Sequence, residues 1–305
     1  MKLRNLALAA TVISLAWAQR PPRPPEDATW APKAIKPTPY TPPHRPHTKL
    51  AEVKAKHKGQ ANWSQVVVDD AHMHGAYVLS QPGTKVTRQF HPDTRAWWVV
   101  IEGEIRFEIE GVEPFVATRG SMVQAPMQTL YSMQTVGDKP SLRWQVGIAH
   151  AKTLYPLDVE PPKLPGFEFV KVKLGRTPGK WEDGNKPHIN LHELAKDPAY
   201  RGGRFVHDDR AVSNIIYGYN SKMPPLNEKD RGHYHPECAE FWLIMLGQIR
   251  YPIEHHGVVV AEEGDVVYVP PFTFHAPRFW GEGASCRLAM NGYTNISHLR
   301  DAEPH

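Results

Sequence analysis

The chain has 305 residues, of which 41% are hydrophobic and 10% aromatic, a length and composition that suit a globular protein of two domains. Its 30 prolines and 22 glycines indicate many turns and irregular arms. The formal net charge is only +4 and no stripe of basic residues is present, which excludes a nucleic-acid-binding groove.

The first 18 residues have the features of a secretory signal peptide. Lys2 and Arg4 give the first segment a positive charge, an apolar stretch covers residues 6–15, and an Ala-Trp-Ala cleavage site ends at Ala18. The apolar stretch is too short to span a bilayer comfortably. The sequence therefore predicts a protein that is exported to the periplasm or the medium and has no membrane association after cleavage.

A proline-rich arm follows over residues 19–60 and includes a short helix predicted over 49–56, with Thr48 as its cap. Such an arm cannot form a core by itself. We expect it to wrap the partner domain or a second subunit, so that a homodimer is possible. The remaining chain divides into an N-terminal domain over 61–150, a linker over 151–205 and a C-terminal domain over 206–300.

An internal repeat relates the two domains without gaps. Residues 144 positions apart match at turn and core positions, which include Pro92 and Pro236, Trp98 and Trp242, Gly103 and Gly247, Gly120 and Gly264, Pro126 and Pro270, and Arg143 and Arg287. In both copies short β-branched and aromatic runs alternate with Gly and Pro turns, which is typical of an all-β barrel or sandwich. A second short helix is predicted over 191–196, with Asn190 as its cap.

The second copy contains a set of metal-ligating residue types. His233 and His235 share one face of a strand because strand side chains alternate with period 2, Glu240 follows a turn, and His275 comes from a second hairpin. Three imidazoles and one carboxylate suit divalent Mn, Fe, Co, Ni, Cu or Zn and leave open positions on a six-coordinate ion. The sequence predicts one such metal.

This pattern resembles the signatures of the cupins. The first cupin signature contains H-x-H-x(3,4)-E-x6-G, which the chain carries from His233 to Gly247, although Gly232 directly abuts His233. Of the second signature, the glycine at 264, the proline at 270 and His275 are present, while Phe272 replaces a glycine. The resemblance implies two tandem jelly-roll domains, a bicupin, and the germin-like spacing implies manganese.

The first copy lacks most of this set. The repeat aligns His233 with Gln89, His235 with His91, Glu240 with Ala96, and His275 with Tyr131. One imidazole and one carboxamide hold a divalent metal poorly, so we interpret the first copy as metal-free. The alternative keeps it as a ligand pocket lined by Gln89, His91, Trp98 and Tyr131.

The metal ligands alone do not choose the reaction. A site with net charge of about +1 attracts small anionic or chelating substrates, and Trp242, Arg278 and Arg287 are the candidates to surround them. An enzyme of the oxidoreductase, dioxygenase or decarboxylase type is the leading hypothesis. The alternatives are an isomerase or lyase on a sugar acid, or a non-catalytic sugar-, metabolite- or metal-binding module. Whether Cys238 and Cys286 form a disulfide stays open.

Overall fold

The structure is a computed structural model that describes residues 28–182 and 184–302. The described residues from Lys33 onward belong to one compact unit, and residues 28–32 lie outside it. The predicted signal peptide lies outside the described residues, and residues 28–32 have no regular secondary structure. No helix in the described part is long and apolar enough to cross a bilayer.

The first barrel is built from a six-stranded sheet opposed by a four-stranded sheet. Its strands are β2 (Trp63–Asp69), β3 (Met73–Ser80), β4 (Lys85–Gln89), β5 (Ala96–Glu102), β6 (Glu104–Ile109), β7 (Phe115–Ala117), β8 (Ser121–Ala125), β9 (Tyr131–Val136), β10 (Ser141–Ile148) and β11 (His188–Asn190). The order is β11-β8-β5-β10-β3-β2 in the large sheet and β4-β9-β6-β7 in the small one.

The second barrel repeats this plan with a six-stranded and a three-stranded sheet. Its strands are β12 (Gly202–His207), β13 (Val212–Tyr219), β14 (His233–Tyr234), β15 (Glu240–Leu246), β16 (Gln248–Ile253), β17 (Gly257–Glu262), β18 (Val266–Val269), β19 (Arg278–Trp280), β20 (Ala284–Asn291) and β21 (Leu299–Arg300), with β1 (His47–Thr48) added from the arm. The large sheet has the order β1-β18-β15-β20-β13-β12, the small one β17-β16-β19, and β14 pairs with β21. The predicted all-β fold of two tandem jelly-roll domains is confirmed.

Each barrel takes an edge strand from the segment that precedes the other barrel. Strand β1 of the arm pairs with β18 of the second barrel, and β11 of the linker pairs with β8 of the first. The helices α1 (Leu50–Lys56) and α2 (Leu191–Leu194) follow these two strands. The arm thus contacts the second barrel, which is one of the two partners that the sequence predicted for it.

The caps of the two helices differ from each other. Asn190 caps α2, since its side chain accepts from the backbone N–H groups of His192 and Glu193, as predicted. The predicted Thr48 cap of α1 is wrong. Lys49 stands at the cap position without a side-chain bond, and the backbone N–H of Leu50 donates instead to Asp265 in the second barrel at 2.9 Å.

Strand alternation divides the apolar side chains among three cores. The large sheets of the two barrels face each other and enclose one shared core that includes Trp97, Trp144 and Phe241. The alternate positions, Trp98 on β5 and Trp242 on β15, point into the separate barrel interiors. Trp242 therefore faces the barrel interior, on the same side of β15 as Glu240.

Candidate metal centre

The four predicted ligands come together at one end of the second barrel. His233 lies on β14, Glu240 begins β15, and backbone hydrogen bonds of 3.1 and 2.9 Å tie His275 to His233. Each of the four residues offers one ligand atom, and these atoms all lie within 4.8 Å of one another. His235, Glu240 and His275 are buried and His233 is half-buried. The cluster therefore faces inward, and its most accessible side is that of His233.

Backbone carbonyls orient two of the imidazoles. The Nδ1 atom of His235 donates to the carbonyl of Ser297 at 2.7 Å, and that of His275 donates to the carbonyl of Thr273 at 3.0 Å. These bonds turn both Nε2 atoms toward Glu240, whose Oε2 atom lies 2.9 Å from that of His235 and 3.3 Å from that of His275. A bond on the remote ring nitrogen is the usual means by which proteins fix the tautomer of a metal-binding histidine.

The Nε2 atoms of His233 and His275 are buried and have no hydrogen-bond partner among the described residues. A buried polar atom without a partner carries a desolvation cost that native proteins rarely leave uncompensated. The two atoms belong to the same cluster as a buried carboxylate, so one cation can satisfy both. The donor set therefore fits a divalent transition metal.

The charges of the cluster shift its pKa values in opposite directions. Burial raises the pKa of Glu240, but the hydrogen bond from His235 and the adjacent imidazoles of His235 and His275 outweigh it and hold that pKa well below its usual range. Burial lowers the pKa of His235, yet the bond to Glu240 gives a net upward shift. Burial and the neighbouring His275 lower the pKa of His233 to about 2, so that its imidazole stays neutral and able to coordinate.

Trp242, Tyr251 and Arg287 extend the site into the barrel. The Trp242 ring lies 5.2 Å from that of His275 and 5.1 Å from that of Tyr251. The Tyr251 hydroxyl and the Arg287 Nε are buried and have no hydrogen-bond partner within residues 28–182 and 184–302. Arg287 forms no ion pair with a described carboxylate, and its guanidinium lies 5.4 Å from the centre of the Phe279 ring. The charge of Glu240 acts on Arg287 without a direct ion pair. A buried guanidinium that forms no ion pair with a described carboxylate is suited to bind an anion.

The structure does not bring Arg278, the third candidate, to the cluster. It pairs across the sheet with Arg250, while its strand neighbour Phe279 packs into the barrel core. Its guanidinium donates to the backbone carbonyl of Pro224 at 2.5 Å, and Arg250 bonds Glu228. The two arginines thus hold residues 224–228 against the outer face of the small sheet.

In the first barrel, the corresponding side chains hydrogen-bond one another. Gln89 donates to the Tyr131 hydroxyl at 2.8 Å, and that hydroxyl lies 3.0 Å from the Nε2 of His91. The Tyr131 ring packs 4.8 Å from that of Trp98, and Ala96 is buried beside them. These polar atoms have partners, unlike the Nε2 atoms of His233 and His275, which supports the interpretation of the first copy as metal-free.

Two features escaped the sequence patterns. The ring of His298, in the segment after the last barrel strand, lies 4.8 Å from that of His233 and 4.6 Å from that of His235. The second feature is Tyr251, which the sequence analysis did not name. It could have been found, because it alternates with the inward-facing Ile249 and Ile253, whereas His298 belongs to no motif.

Cys238 and Cys286 are free, buried thiols, so the disulfide that the sequence left open does not form. Burial raises the pKa of each thiol to about 12, which disfavours a thiolate ligand.

Comparison with known proteins agrees with the repeat. The family model described as a cupin domain matches twice, over residues 76–148 and 221–290. No curated protein sequence matches the chain. A solved variant of oxalate decarboxylase from Bacillus subtilis is similar with a TM-score of 0.50 and 16% identity, covering 79% of this chain and 75% of that one. A Cupin 2 conserved barrel domain protein from Leptotrichia buccalis has a TM-score of 0.52 and 12% identity, covering 77% and 90%. At these identities the likeness concerns the fold.

Proposed function

Since the chain belongs to the cupin superfamily and carries two tandem cupin domains, we propose that it is a metal-dependent enzyme whose second barrel acts on a small anionic or chelating organic substrate. The observation that carries this proposal is the pair of buried, unpartnered Nε2 atoms of His233 and His275 beside Glu240. In this proposal His233, His235, Glu240 and His275 hold one divalent transition metal. Manganese is the ion to test first.

The reaction type follows from what the site offers. The bound metal supplies a Lewis acid with open coordination positions and, where it is redox-active, a centre for dioxygen chemistry. The protein contributes a carboxylate partner in Arg287, and the walls of Trp242 and Tyr251 exclude bulk water from the reacting end. We therefore propose decarboxylation or dioxygen-dependent oxidation of a small carboxylate. The similar fold of an oxalate decarboxylase adds support for oxalate as a first test substrate.

The primary experiment is metal analysis of the purified mature protein. We expect about one transition metal ion per chain, and we expect His235→Ala and His275→Ala to remove most of it. His255→Asn is the matched control, since His255 is an exposed histidine with φ of 66°, a conformation that asparagine tolerates. Equal loss of metal in the control, or full retention in the ligand variants, would contradict the proposed site.

Turnover is tested on the loaded protein with oxalate, hydroxy acids, catechols and flavonols. Oxygen uptake indicates the dioxygenase type, and carbon dioxide release without oxygen uptake indicates the decarboxylase type. Bound metal with neither signal would favour a binding module or the lyase alternative instead. Export is a separate proposal: N-terminal sequencing of protein from the native host should begin after Ala18.

A further inference from the structure

The segment after the last barrel strand closes one side of the proposed site. We call residues 297–300 the C-terminal strap. Its strand β21 pairs antiparallel with β14, so that Arg300 lies opposite His233 and Leu299 opposite Tyr234. The carbonyl of Ser297 accepts from His235. The strap is thus bound along strand β14, which presents His233, and along His235 just after it.

The first barrel has the same strap with different side chains. The carbonyl of Lys152 accepts from His91 at 2.8 Å, and Leu154 forms a backbone bridge with Phe90. By this correspondence, Thr153 stands where the second barrel has His298, and Tyr155 where it has Arg300. The backbone arrangement is therefore common to both halves, whereas His298 and Arg300 occur only beside the complete His/Glu cluster.

Both side chains lie on the cluster side of the strap. Residues two apart in an extended segment share a face, and cross-strand neighbours point the same way. The ring of His298 is within 5 Å of two cluster histidines, at 4.8 and 4.6 Å. The exposed side chain of Arg300 makes no hydrogen bond or ion pair with any described residue, in contrast to the nearby Arg231, which pairs with Glu254 at 2.7 Å.

We propose that Arg300 binds a carboxylate group of the substrate at the entrance of the site and that the His298 ring lines this position, an inference that rests on the proposed function and specifies its substrate class. A guanidinium binds a carboxylate through two parallel hydrogen bonds. The Nδ1 atom of His298 donates to the carbonyl of Ile296 at 3.2 Å, which fixes the ring beside that position. The buried Arg287 lies within the barrel and His298 and Arg300 at its mouth. The site is thus suited to a compact substrate with two anionic groups.

The test measures anion binding separately from metal binding. Protein loaded with Co²⁺ is titrated with oxalate, and the change in the visible absorption of the ion gives a Kd. We expect Arg300→Gln to raise this Kd about tenfold, because it removes a charge-assisted contact to the carboxylate. We expect His298→Gln to raise the Kd less, because it removes only the ring that lines this position. Metal content should stay unchanged in both variants. Arg204→Gln is the control, since it also removes one exposed arginine, from the edge strand β12.

The outcomes separate the strap from the metal site. An unchanged Kd in both variants overturns the inference, and loss of metal from His298→Gln overturns it in favour of a metal-ligand role for His298. If the wild-type protein binds no metal, the proposed function fails. The strap is then tested on the metal-free protein, by measuring the NMR shift of the Arg300 side-chain Nε when oxalate is added. A saturable shift that the Arg204→Gln variant retains supports the strap, and its absence overturns it.

Discussion

The imidazole of His235 is held by the backbone of Ser297, a residue 62 positions further along the chain, through a hydrogen bond of 2.7 Å. Glu237 fixes Ser297 in turn, since one of its carboxylate oxygens accepts from both the backbone N–H and the hydroxyl of Ser297. Glu237 therefore acts on the cluster indirectly, by positioning the carbonyl that sets the tautomer of His235.

Loss of Glu237 should weaken metal binding without removing a ligand. We expect Glu237→Ala to lower the affinity for the metal about tenfold, the usual lower range for groups that orient a ligand. Competition with a chelator of known affinity measures the effect. Glu237→Gln keeps an oxygen that can accept both bonds, so it should retain most of the affinity. Equal loss in the two variants would show that the charge of Glu237, rather than its hold on Ser297, matters.

The contrast between the two barrels suggests that a second metal site can be rebuilt. His91 is already present in the first barrel, and Gln89→His, Ala96→Glu and Tyr131→His together restore the remaining three ligand types. We expect the metal content of this triple variant to rise from about one to about two ions per chain. Elemental analysis of the purified protein measures it.

The double variant Gln89→His and Ala96→Glu is the control for the rebuilt site. It keeps Tyr131, whose buried ring and hydroxyl occupy the position that His275 has in the second barrel. We expect its metal content to stay near that of the wild type. A triple variant that unfolds at the wild-type temperature yet binds no additional ion would mean that the two barrels differ in more than their ligands.

The residues that the sequence identified are those fixed by local pattern. The H-x-H spacing, the turn glycines and the 144-residue repeat predicted the cluster. Arg278 was named as a candidate but faces outward. Residues 276 and 277 separate His275 from strand β19, so alternation could not be counted from one to the other. His298, Arg300 and the Asp265 cap of α1 were not predictable either, because each depends on a contact between distant segments that no local pattern encodes.

Gly232 illustrates such a distant contact. Its φ is +72°, and a Cβ atom there would lie 2.1 Å from the backbone oxygen of His275. We expect Gly232→Ala to push His233 and His275 apart, to reduce metal content, and to lower the free energy of unfolding by roughly 2 kcal/mol or more, since both backbone strain and steric overlap contribute. Urea unfolding and metal analysis measure the two effects.

Gly111→Ala separates strain from overlap. Gly111 has a similar φ of +77°, but nothing lies within 4 Å of the position that its Cβ would take. This variant should lose only the roughly 1 kcal/mol that a left-handed conformation costs a residue with a side chain. It should also keep its metal. If both variants lose the same stability, the close approach of His275 to Gly232 is not a constraint on the site.

The opposite pKa shifts of His233 and His235 predict how the stability of the metal-free protein depends on pH. The pKa of His233 is about 2 in the folded protein and 6.5 ordinarily, so between these values the unfolded chain binds a proton that the folded one does not. Stability should therefore fall as the pH drops below 6.5, by up to about 1.4 kcal/mol per pH unit from this one group.

The pKa of His235 is raised above 6.5 in the folded protein, so its contribution to stability is complete below that pH and is lost as the pH rises through the folded pKa. Together the two histidines favour a stability maximum near pH 6.5 when a chelator is present. His233→Gln should flatten the acid side of the curve, and His235→Gln the alkaline side, in urea midpoints measured from pH about 4 to about 9. The difference curves report each imidazole together with the groups coupled to it, which for His235 include Glu240. Parallel curves for all three would show that neither imidazole has the shifted pKa on which this prediction depends.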